Sequence, residues 1–220
     1  MNLGKVYSEV GPLLIKGMGV AVQVTVIALA IALVLGMVAA LMGLSKTPLR
    51  FITKAYVWLI RGTPMLVQVM YIYFAIPQLL QFMGYNVRLT AFDAALISLT
   101  LNAGAYMSEI FRGAINAVEK GQMEAARSLG LSQGQAMRKV ILPQALRICL
   151  PSLVNQFIIT LKDSSIISVI GFGEVIYQAR IYVGRTMESF ATYTWVALFY
   201  LVVITALTQI SKVVERKVRI

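Results

Sequence analysis

Residues 121–143 read GQMEAARSLGLSQGQAMRKVILP, a polar, small and basic segment. It sits in a chain that is 59% hydrophobic and only 13% charged. Soluble domains carry about 25% charged residues, so the surroundings are those of an integral membrane protein. The segment is a water-loving island between spans, and the side of the membrane that carries it sets the direction of every helix around it. Within it, QMEAARSL favours helix and stops at Gly130, and SQGQAMRKVIL starts again with Ser132 placed to cap it. The expectation is two short helices at an angle. Ala125 and Ala126 give a small face, Leu129, Leu131 and Met137 give apolar anchors, and Gly130 allows a tight turn. On physics alone this is a generic docking element, with a solvated loop that meets no partner as the alternative.

Charge-free runs locate the membrane on either side. Residues 17–45, 62–87 and 189–211 each exceed the ~20 apolar residues that a spanning helix needs. Two shorter runs, 94–108 and 148–161, stop at Glu109 and Lys162, yet apolar sequence resumes beyond each charge. They are read as spans with charges inside. The fold class is therefore an all-α membrane protein of five transmembrane helices, near 17–45, 55–82, 89–113, 148–170 and 189–211. These spans form one domain, 1–220, with residues 117–145 as its main polar segment.

Lysine and arginine give the orientation. Twelve fall on one side, among them Lys46, Lys54, Lys120, Arg127, Arg138 and Arg219, against five on the other: Lys5, Lys16, Arg88, Arg180 and Arg185. The positive-inside rule places the richer side in the cytoplasm. The N-terminus is then outside, the C-terminus cytoplasmic, and residues 121–143 face the cytoplasm. The net charge of +11 is a topology signal and gives no reason to expect nucleic acid.

Other classes drop out by residue type. There is no histidine and Cys149 is the single cysteine, which removes histidine acid–base chemistry, most zinc sites and any internal disulfide. Cys149 reads as a small buried hydrophobe. The N-terminal apolar run is too long for a cleavable signal. In RGTP, Thr63 is a candidate N-cap with Pro64 as the first helical residue, and Pro77 should kink the outer end of span two. GYNVRLT and residues 171–190 are the two external connections.

Polar residues occur where lipid is expected. Asn102, Tyr106, Glu109, Arg112 or Gly113, and Asn116 recur three or four apart, on one face of span three. Gly104, Ala105 and Ser108 beside them permit a close helix. Ser152, Asn155 or Gln156, Ile159 and Asp163 make a second face, ending in LKDSS at 161–165. A charge at the membrane centre costs about 2.5–3.5 kcal/mol or more, so such groups face a bundle interior or water. Two readings fit: local ion pairs, Glu109 with Arg112 and Lys162 with Asp163, or a solute pathway between spans three and four. For the pathway, Glu109 and Asp163 suit an ammonium or basic side chain, and Lys162 and Arg112 suit a carboxylate. Asn102, Met107, Ser108, Asn155 and Ser164 are neutral contacts.

A driven pathway needs an energy source, and no G-x-x-x-x-G-K-[ST] phosphate loop is present. The motif E-A-A-x3-G-x9-[IV]-x-L-P, on Glu124, Ala125, Ala126, Gly130, Val140, Leu142 and Pro143, resembles the cytoplasmic loop of ABC importer permeases. RGTPMLVQ at 61–68, AYMSEIFRGAI at 105–115, GQMEAARSLGLS at 121–132 and LKDSSIISVI at 161–170 are similar to the polar amino acid uptake branch of that family. The resemblance implies a type I importer transmembrane domain in a bacterial inner membrane, which is not itself an enzyme. It implies a second permease subunit, identical or paralogous, an ATPase dimer that binds ATP and Mg in the cytoplasm, and an extracytoplasmic amino acid-binding protein. Glu124, Ala125, Ala126, Leu129, Gly130 and Leu131 would then couple to the ATPase, and this chain would need no cofactor of its own. The acids favour a polar, basic amino acid such as arginine, lysine or histidine. The alternative is a secondary transporter or channel that works without ATP, with Glu109 and Asp163 as ion sites.

Overall fold

The structure, a computed structural model, describes residues 3–45 and 47–218. Lys46 and Arg219, counted above among the cytoplasmic cations, lie outside the described residues. The described chain is helical throughout: α1 Leu3–Leu44, α2 Leu49–Arg61, α3 Met65–Met70, a π turn Tyr71–Ala75, α4 Ile76–Phe82, α5 Ala91–Ala117, α6 Lys120–Ser128, α7 Gln133–Ala136, a second π turn Met137–Ile141, α8 Leu142–Asp163, a 3-10 stretch Ser164–Ile170, α9 Val175–Thr186 and α10 Ser189–Val218.

Four of these stretches are long and apolar enough to cross a membrane: Leu3–Leu44, Met65–Phe82, Gln133–Ile170 and Ser189–Val213. The 27 residues of α5 reach about 40 Å, but Ser98, Thr100, Asn102, Ser108 and Glu109 dilute its apolar character. The reason is its place in the packing. It contacts α1, α2, α3 and α8, so much of it faces helices rather than lipid.

Close approach of α1 and α5 depends on small residues. A methyl group on Gly36 would fall 2.7 Å from Met107 Cβ, and one on Gly104 would fall 2.8 Å from Leu35 Cδ2 and 2.9 Å from the Tyr56 hydroxyl. At 42 residues, or about 63 Å, α1 begins well before residue 17. Its first turns pack Val6, Val10 and Leu14 against Val175, Ala179 and Tyr182. Residues 171–190, read from the sequence as a connection, thus contain a docked helix.

Both π turns precede a proline by two residues, at Pro77 and Pro143. Each proline then sits in the first turn of the following helix. A proline ring clashes with the carbonyl four residues back, and a widened turn there relieves the clash. The RGTP break differs in detail from expectation. Pro64 itself holds the extended cap position, with φ −63° and ψ 142°, and the Thr63 hydroxyl donates to the Leu59 carbonyl. Thr63 therefore closes α2 and does not cap α3, because proline supplies no N–H next to it and restricts the residue before it.

Candidate functional site

The break between α2 and α3 positions the first part of the site. It leaves carbonyls at the end of α2 and in the break itself without helical partners, and the Gln68 side chain takes two of them over. Its Nε2 donates to Ile60 O at 2.7 Å and Thr63 O at 2.9 Å. Its Oε1 accepts from Asn102 Nδ2 at 3.0 Å. A buried amide bridge thus ties the break to the middle of α5, and Arg61, the last residue of α2, lies opposite Glu109.

Glu109 is the centre of a charged cluster. Arg112 donates to it from Nε at 3.0 Å and from a terminal nitrogen at 2.6 Å, and Arg61 approaches at 3.4 Å. The Arg61 guanidinium also lies over the Tyr106 ring, 5.3 Å from its centroid. Two cations share one carboxylate, so the cluster carries a net positive charge. The local pairing of Glu109 with Arg112 is present, whereas among the described residues no ion pair joins Lys162 to Asp163. Neighbouring side chains on a helix point about 100° apart, which separates those two.

The remaining pathway candidates divide by burial. Met107, Ser108 and Ser164 are enclosed in helix contacts. Ser108 donates to Ala105 O and Ser164 to Leu161 O, so neither hydroxyl is offered to a solute in this arrangement. Asn102 is engaged with Gln68. By contrast Tyr106, Arg112, Gly113 and Asn116 on α5 are exposed, as are Ser152, Asn155, Ile159 and Lys162 on α8, with Glu109 and Asp163 half-buried. Two polar stripes on packed helices are thus open on the single chain.

The polar segment forms the second part. Helix α6 ends in a Schellman turn: Gly130 is left-handed at φ +83°, Leu131 N–H bonds Ala126 O, and Gly130 N–H bonds Arg127 O, as that motif requires. Ser132 and Gln135 then form a reciprocal capping box that starts α7. Ala126 is buried, Glu124 and Ala125 are exposed, and Leu131 is half-buried. Leu129 is 85% exposed, an apolar side chain presented on an otherwise polar surface.

Sequence reasoning missed Arg61, Gln68 and Glu174. The lone amide of Gln68 inside MLVQVM was a usable signal, since a buried amide demands partners. Glu174 is fully buried. It caps α9 by accepting from Tyr177 N–H at 2.8 Å, and the Tyr200 hydroxyl donates to it at 3.4 Å. Among the described residues no cation pairs with it, and burial pushes its carboxyl up to about 7. Among the described residues, no three His, Cys, Asp or Glu side chains gather as metal ligands.

Residues 15–220 match the family model described as binding-protein-dependent transport system inner membrane component. The chain belongs to this family. It is a multi-pass inner-membrane permease. Over 209 residues it is 38% identical to the arginine transport system permease protein ArtQ of Bacillus subtilis, covering 94% of this chain and 93% of that one. It is 39% identical over 214 residues to the glutamine transport system permease protein GlnP of Escherichia coli, covering 95% and 94%. A crystal structure of an amino acid ABC transporter with histidines superposes with a TM-score of 0.91 at 38% identity, over 99% of both chains. The inward-facing MetNI methionine ABC transporter shares the fold, with a TM-score of 0.76 at 20% identity over 94% and 97%. For this permease, the two-helix polar segment and the open stripes on α5 and α8 are the surfaces left to explain.

Proposed function

We propose that this permease forms half of the pathway of an ATP-driven importer for polar amino acids. Five helices cross the membrane, α5 among them, with the N-terminus outside and residues 121–143 in the cytoplasm. The polar stripes of α5 and α8 face a second permease subunit across the pathway. The net positive cluster of Arg61, Glu109 and Arg112 suits the carboxylate common to all amino acids better than a cationic side chain. Glu109 is already held by two arginines. Relatives named for arginine and for glutamine transport support the polar amino acid class.

The observation that carries this reading is the two-helix polar segment, which we read as the coupling element. Leu129 stands exposed beside a left-handed Gly130, in a turn fixed by its own hydrogen bonds. A Cβ at Gly130 would meet nothing within 4 Å in this chain, and the local cost of a side chain there is the strain of the left-handed backbone alone. Asparagine tolerates the left-handed region, which makes Gly130→Asn the test. In proteoliposomes carrying the permease with its ATPase and binding protein, uptake should require ATP and fall at least tenfold in Gly130→Asn, with insertion unchanged. Uptake driven by an ion gradient without nucleotide would establish the secondary-transporter alternative instead.

A further inference from the structure

Three clefts on the helical surface are lined mainly by apolar side chains, as expected of surfaces that meet lipid or other helices. A fourth, of about 320 Å³, is different in kind. It lies between the end of the 3-10 stretch and α9, where Ser168, Gly171, Tyr177 and Arg180 line it. Among the described residues, its polar side chains have no ionic or hydrogen-bonding partner. Both ion pairs among the described residues are made by Glu109, and no hydrogen bond engages the Arg180 guanidinium or the hydroxyls of Tyr177 and Ser168. The nearest acid in sequence, Glu174, is turned inward to its cap and to Tyr200.

The cleft is also firmly built. Tyr177 and Arg180 are three apart and share a face of α9. The opposite face of α9 buries Ala179 and Tyr182 against α1 and α10. Three donors, one of them permanently charged, therefore surround a space that holds no acceptor charge of its own.

We infer that this cleft binds a carboxylate, with the Arg180 guanidinium as its charged fork and the Tyr177 and Ser168 hydroxyls as flanking donors. The inference rests on the importer reading, which puts α9 on the outer side, where the positive-inside bias leaves few cations. Its volume sits at the lower end of small-ligand pockets, roughly 300–1,000 Å³, and fits a group of amino acid size. The carboxylate has two sources: a free amino acid arriving at the mouth, or an acidic side chain of the docked binding protein.

Arginine-selective modification by phenylglyoxal separates them. In nanodiscs holding the permease–ATPase complex, labelling of Arg180 is followed by mass spectrometry with L-glutamine, L-asparagine, L-glutamine amide or the loaded binding protein added. Several-fold protection by the free amino acids, and none by the amide, assigns the amino acid carboxylate. Protection by the binding protein alone assigns its acidic side chain. Equal labelling under every condition overturns the site. As a second readout, Arg180→Gln should raise the KM for uptake about tenfold, the scale of one lost charge-assisted contact, and Arg180→Lys should recover part of it. An unchanged KM in Arg180→Gln also overturns the proposal. ATP-dependent uptake by the unaltered complex reports separately on the importer reading. Uptake with an unprotected Arg180 removes only the carboxylate site, and protection without ATP-dependent uptake removes only the importer reading.

Discussion

Gly36→Ala tests whether the α1–α5 contact sets the stability of this fold. The added methyl would lie 2.7 Å from Met107 Cβ, 3.1 Å from Gly104 O and 3.2 Å from Ser108 N. Carbon atoms prefer about 3.5–4.0 Å, so the helices must separate by close to 1 Å. Two of the three obstacles are backbone atoms, which no rotamer change can move. Overpacking of this kind costs about 1–3 kcal/mol. Gly19 provides the matched control on the same helix, since a methyl there meets nothing within 4 Å. Replacing an exposed helical glycine by alanine should stabilise by up to about 1 kcal/mol. Thermal unfolding of the two purified variants in the same detergent should therefore differ by the overpacking cost alone, about 1–3 kcal/mol, with Gly36→Ala the weaker. Equal stability of the two would refute the contact argument, because helix propensity alone predicts the same gain at both positions.

Glu174 gives a pH-dependent prediction. Burial raises its carboxyl from the ordinary 4.5 to about 7, so the folded state holds the proton more tightly than the unfolded chain. The contribution of this one group is then fully present below about pH 4.5 and is lost, by roughly 3 kcal/mol, as pH rises from there through 7. Glu174→Gln should flatten that profile and unfold at a higher temperature than the parent at pH 8, as fluorescence melts would show. Glu109→Gln should destabilise by about 1–2 kcal/mol, because Arg61 and Arg112 lose the charge they share, and adding Arg112→Gln should restore part of it in a double-mutant cycle. Ser132→Ala removes the cap of α7 and should cost about 1 kcal/mol, read as loss of helical signal in a peptide spanning residues 119–145.

What the sequence revealed and what it hid follow from the range of the interactions. The turn at Gly130 and the cap at Ser132 depend on residues within a few positions, and both were readable. The early start of α1 was hidden because Lys5, Glu9 and Lys16 interrupt the charge-free run. Those side chains are exposed while Val6, Val10 and Leu14 are buried, an amphipathic period rather than a uniformly apolar one. Helix α9 was missed for the same reason, since only Val175, Ala179 and Tyr182 of its twelve residues are buried. Partner choice was the least legible feature. Gln68 finds Asn102 and Arg61 finds Glu109 only after α2 and α3 fold back on α5, and no local pattern encodes that return. The sequence flagged Glu109 as charged in the membrane. Its second arginine came from another helix.

The open stripes on α5 and α8 bear on what the single chain lacks. The side chains of Arg61 and Arg112 are each 45% exposed beside one half-buried carboxylate. At the bilayer centre each arginine would cost about 2.5–3.5 kcal/mol, or up to about 7 kcal/mol together, and nearer the interface less. That is comparable with the whole folding stability of a typical domain, about 5–15 kcal/mol. Lys162 on α8 adds a further charge on the exposed surface. Such a surface does not persist in lipid, so water or protein must cover it. Water alone would require an open channel through the bilayer, which the ATP-driven importer proposed above could not keep open. A second permease subunit bearing a complementary polar face satisfies both demands, covering the arginines and enclosing a cavity that opens to one side at a time. On the importer reading proposed above, the charges that make the single chain look unstable are the reason to place the pathway between two permease subunits.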